Sequence, residues 1–134
     1  MKEKLFCILS IFAVAIFVAG CPERLIYDEN LGNGYAVSAV DVMEDAAVVH
    51  KDKGRLLATV VVPRTVFAYG WNDDFILAKR HPAKKDGKVD TSLTYWYIVE
   101  VASVNVHGPL SEDEFNRLRT ELKVPPELSF RTIQ

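Results

Sequence analysis

The first twenty-one residues set the terms for everything that follows them. Lys2 and Lys4 give a positive start, Leu5 to Ala19 is almost wholly apolar, and Gly20 and Cys21 close the run. A spanning helix needs about 20 apolar residues with suitable flanks, and this run is shorter and ends in Pro22 and charge. Residues 1–20 read as a secretory signal, removed from the mature protein. The fold must then be built from residues 21–134 outside the cytoplasm. Cys7 leaves with the signal and Cys21 is the only other cysteine, so no disulfide and no cysteine-based metal site is available to the domain. Its stability rests on an apolar core.

The tetrapeptide Val18-Ala19-Gly20-Cys21 resembles the lipobox of bacterial lipoproteins. Small side chains suit a peptidase at the scissile bond, and the thiol accepts a diacylglyceryl group. Cys21 becomes the lipid-bearing N-terminus, with palmitoyl-type chains in the bilayer. Each buried methylene contributes about 0.8 kcal/mol, and two or three chains hold a protein firmly where one would not. The alternative is a secreted protein with an incidental cysteine at its cleavage site. Pro22 after the cysteine is not the aspartate associated with inner-membrane retention, so a cytoplasmic or an outer membrane stays open.

From Cys21 onward there are 114 residues with a formal charge of −3, a length that favours one domain. Nothing in this balance suggests a nucleic-acid partner, which usually demands a basic face. Residues 21–34 are short, polar and glycine-containing and read as a tether, leaving 35–134 as the folded domain.

Short strand-forming runs dominate that domain. Tyr35 to Val42, Ala46 to His50, Leu56 to Val62, Thr65 to Tyr69, Phe75 to Lys79, Thr94 to Val101 and Asn105 to His107 are separated by turns such as Lys51-Asp52-Lys53-Gly54. Pro63 implies a bend or an edge. Ser111 and Glu114 form a capping box, with Leu110 and Phe115 placed as a hydrophobic staple. A helix follows, with Phe115, Leu118 and Leu122 on one face, and Pro125-Pro126 stops it. The expected class is α+β: an antiparallel meander of about six strands with one C-terminal helix packed on a face.

Two segments carry a resemblance. Tyr69-Gly70-Trp71-Asn72-Asp73-Asp74-Phe75-Ile76 and His107-Gly108-Pro109-Leu110, the latter leading into Ser111 to Leu122 and Val124-Pro125, resemble a family of small bacterial lipoproteins with a domain of unknown function. The similarity runs from roughly Tyr69 to Gln134. It implies a single lipid-anchored domain and brings no activity, cofactor or catalytic residue with it.

The candidate sites each have a plainer explanation. Trp71, Asp73 and Asp74 at a hairpin tip suit calcium ligation or sugar stacking, but turns favour such residues for backbone reasons and calcium needs more oxygen ligands. Lys79, Arg80, Lys84, Lys85 and Lys88 concentrate positive charge in an acidic domain. They suit anionic headgroups, wall polymer or an acidic protein, at about 1 kcal/mol or less per residue, or a solvated loop. His50, His81 and His107 lack metal-ligand spacing, no nucleophile elbow accompanies Ser38, Ser92 or Ser103, and no cofactor motif is present. Alternation sends Tyr95 and Tyr97 to one face of a strand and Trp96 to the other.

The expected function is a lipid-anchored extracytoplasmic binding or structural module of the cell envelope, contacting a protein or wall polymer through loops at one end of the sheet. An envelope inhibitor or immunity-type protein is the second reading, and a hydrolase the third.

Overall fold

A computed structural model describes residues 25–134. It holds nine strands and one α-helix in the order β1 (Tyr27–Gly32), β2 (Tyr35–Ala39), β3 (Ala47–His50), β4 (Thr59–Val62), β5 (Val66–Trp71), β6 (Phe75–Arg80), β7 (Tyr95–Glu100), β8 (Asn105–Leu110), α1 (Glu112–Glu121) and β9 (Arg131–Thr132). The α+β class and the C-terminal helix on a sheet face agree with the sequence. The strands, however, form two antiparallel sheets, ordered β1-β2-β3-β4 and β8-β7-β6-β5-β9.

The break falls where Pro63 sits. A proline cannot donate to a ladder, so β4 ends at Val62 as the edge of the first sheet, and the chain crosses to begin β5 at Val66 in the second. Of the two strands beyond the seven runs seen in the sequence, β1 lies inside the segment expected to be tether. Asn33 and Gly34 have φ of 52° and 85°, the two positive values of a type I′ hairpin turn, and so join β1 to β2. The other, β9, pairs only Arg131 and Thr132 with β5.

Two apolar clusters hold three layers together. Tyr35, Val37 and Val48 from the first sheet meet Tyr69, Ile76 and Val99 from the second between the sheets. The Tyr35 hydroxyl donates to the Val101 carbonyl at 3.1 Å, and the hydroxyl of half-buried Tyr27 bonds that of Tyr69, so the buried Tyr35 and Tyr69 leave no polar atom unpaired. On the other face of the second sheet, Leu77 and Ile98 pack against Phe115 and Val124. Strand β7 feeds both, with Tyr95 and Tyr97 between the sheets and Trp96 beneath the helix, as alternation requires.

The helix begins and ends by side-chain and backbone chemistry. Ser111 accepts from the Glu114 amide and Glu114 accepts from the Ser111 amide, which holds the Glu114 carboxyl below its ordinary range. At the other end Lys123 takes a φ of 58°, its amide bonds Thr120, and Val124 bonds Arg119 at 3.0 Å, a Schellman arrangement that stops α1 before the prolines. Arg119 then donates to the carbonyls of Pro125, Pro126 and Leu128, binding the tail against the helix. Gly70 admits that tail to the sheet, because a Cβ at this position would collide with the Ser129 carbonyl.

Candidate functional site

The strand directions sort the loops onto two ends of the sandwich. At the far end are the turns after β1, β3, β5 and β7; at the near end are the start of β1, the connections 40–46, 63–65 and 81–94, and the junction of β8 with α1. Hydrogen bonds knit the near end together: Ile26 to Ala39, Val66 to Ala46, and His81 to Thr65. Arg64 pairs with Asp45 across it at 3.6 Å.

His81 lies at this end, where its backbone amide bonds the Thr65 carbonyl. Its ring stacks on Phe67 with centroids 4.2 Å apart, and Nδ1 is 2.8 Å from the Leu93 carbonyl. A carbonyl only accepts, so Nδ1 carries the proton, and in the neutral ring Nε2 is left with its lone pair. The Thr65 hydroxyl donates to the His81 carbonyl and fixes the backbone. Beside the ring opens a mainly apolar cleft of about 250 Å³, lined by Met43, Glu44, Phe67, Val89, Thr91 and Ile133 among others. Small-molecule sites usually exceed about 300 Å³, so this one fits an apolar side chain or part of a lipid chain better than a whole ligand.

The five basic residues divide between packing and solvent. Lys79 lies over the rings of Trp96 and Phe130, at 4.1 and 4.3 Å, and burial lowers its pKa against the opposing pull of Glu112. Arg80 donates to the Arg64 carbonyl at 2.8 Å and reaches the Tyr97 hydroxyl. Lys84, Lys85 and Lys88 are exposed in the 81–94 loop, which a turn closes through Lys84 and Gly87. Asp86 and Asp90 in the same loop accept from the Lys88 and Ser92 amides, and the Ser92 bonds hold Asp90 below its ordinary pKa.

At the far end the Trp71 loop is a built turn. Asn72 accepts from the amides of Asp74 and Phe75, Asp73 and Asp74 are exposed, and Trp71 stacks on Tyr69 with Arg131 4.5 Å from its ring. His50 leans on Tyr35 at 4.3 Å and lies 3.5 Å from Asp52. His107 bonds Glu100 at 2.8 Å, and this bond with that from Asn105 lowers the Glu100 pKa. The three histidines thus occupy separate places. Among the described residues no group of three or more His, Cys, Asp or Glu is arranged to hold a metal ion.

Cys21 and the apolar run before it lie outside the described residues. Sequence reasoning did not identify Met43, Glu44, Phe67 or Ile133 as neighbours of His81. They come from the first connection, the β5 strand and the C-terminus, and only the crossover at Pro63 brings them together.

No curated protein and no solved structure matches the chain. Residues 32–134 match a family described as a protein of unknown function, DUF3997, so the similarity reaches well before Tyr69 and takes in β2 to β4. The match spans most of the sequence, and the chain belongs to the DUF3997 family.

Proposed function

We propose that this chain is a lipid-anchored, extracytoplasmic binding or structural module of the bacterial cell envelope, working through the near end of its sandwich. The anchoring rests on the signal-like run and Val18-Ala19-Gly20-Cys21. The observation that carries the binding surface is a juxtaposition. Exposed Lys84, Lys85 and Lys88 and the cleft beside His81 lie at the end where the described chain starts, four residues after Cys21.

The test has two parts. In cells, Cys21→Ala leaves the chain unprocessed or releases it from the membrane fraction; unchanged mobility and location defeat the anchor. In native envelopes, a photoreactive side chain replacing Lys88 captures an envelope component, and one replacing Leu57 at the far end does not. Equal capture at both positions defeats the near end as the working surface.

A further inference from the structure

We infer that the partner of the near end is the bilayer surface itself, so that the domain stands end-on upon the leaflet that holds its lipid. This rests on the lipid-anchor reading above. The reach of the chain is the first argument. Each residue spans at most about 3.5 Å, so Leu25 lies within roughly 14 Å of Cys21 and of the headgroups around it.

The distribution of exposed apolar residues is the second argument. Ten large hydrophobic residues are exposed among the described residues, and six of them, Leu25, Ile26, Val40, Val42, Val89 and Leu93, are at the near end. They come from the start of β1 and two separate connections, which no local sequence requirement would place together. Val60 lies on an edge strand, and Leu56, Leu57 and Val104 belong to the far end, where the adjacent Leu56 and Leu57 of one loop are the most exposed of the ten.

Charge is the third argument, and it is secondary. Lys84, Lys85 and Lys88 face solvent at the near end, while Asp45 is paired with Arg64 and Asp86 and Asp90 are turned to backbone amides. Asp41, Glu44 and, in the first turn of α1 beside the end of β8, Glu112 and Asp113 remain as exposed carboxylates there. The net field is therefore weak. Apolar side chains entering the headgroup layer hold the end down, with the lysines taking phosphates beside them. A cleft sized for part of an acyl chain opens on the same end.

The full-length chain, expressed and lipidated in cells, provides the test. Single cysteines replace Val42, Leu93, Leu57 or Val104, and each is labelled with an environment-sensitive fluorophore in isolated membranes containing a bilayer-embedded quencher. Labels at 42 and 93 are expected to shift to the blue and to be quenched several-fold more than those at 57 and 104. Equal, aqueous behaviour at all four, in protein that sediments with the membranes, overturns the contact and leaves the anchor standing. Labels at 42 and 93 that are shielded from water but not quenched indicate a protein partner and overturn it too. Failure to sediment, or labelling of Cys21 in the unsubstituted chain, overturns the anchor and this inference together.

Discussion

On the four-stranded sheet the outward face carries Asp28, Asn30, Ala36, Ser38 and Val49, whereas the outward face of the five-stranded sheet carries Phe75, Leu77, Trp96 and Ile98 and lies beneath α1. The difference is written in the strands. β2 reads Tyr-Ala-Val-Ser-Ala, large and buried alternating with small and half-exposed, the pattern of a sheet wet on one side. β6 and β7 contain the runs Phe-Ile-Leu-Ala and Tyr-Trp-Tyr-Ile-Val, apolar at every position, which demand cover on both sides. The helix answers that demand, and the first sheet, with small side chains outside, does not call for one.

The strongest way to break this comparison is to remove the helix's anchor. Phe115→Ala vacates a fully buried position against Trp96 and Phe130, and is expected to cost about 3–5 kcal/mol in urea unfolding. A cost below about 1 kcal/mol would mean that α1 does not cover the sheet in any energetic sense.

Removing the cap is a smaller perturbation of the same layer. Ser111→Ala is expected to cost about 1 kcal/mol at neutral pH. The folded-state pKa of Glu114 is depressed below its ordinary 4.5. Its stabilising effect is therefore fully present above that value and is lost as pH falls through the lower, folded pKa. The gap between wild type and Ser111→Ala should narrow in acid; a gap that widens would contradict the capping box.

The smallest effect belongs to the uncovered side. Val60→Thr, on the exposed edge of the first sheet, should change stability by no more than about 0.5 kcal/mol. A loss of 2 kcal/mol or more would reveal that something packs there.

Local signals were legible where the chemistry is local. The capping box, the staple, the split of Tyr95, Trp96 and Tyr97 and the seven strand runs all rest on neighbours within a few residues. The hairpin turn Asn33-Gly34 was equally local, yet the polar composition of Tyr27 to Gly32 masked it, because a strand at a sheet edge needs little apolar character. Assignment of strands to two sheets depended on Pro63 ending a ladder, which a sequence marks as a bend without saying which sheet follows. The His81 cleft was illegible for a related reason: its lining is separated by up to about ninety positions, from Met43 to Ile133, and no spacing rule reaches that far. Arg80 looked like the start of a charged loop, but it is the last position of β6, and it and Lys79 before it point to opposite faces.

The edge strand β1 also gives the domain a mechanical direction. A pull on the residues before Leu25, away from the near end, runs along the axis of β1, whose ladder with β2 extends from Tyr27 to Gly32. That geometry loads the ladder in shear, so its bonds share the force and fail together. The same pull applied after Thr132 meets β9, which has only two residue pairs with β5 to share the load. Strength under tension thus differs between the two ends of the polypeptide, with the greater resistance at the end nearer Cys21.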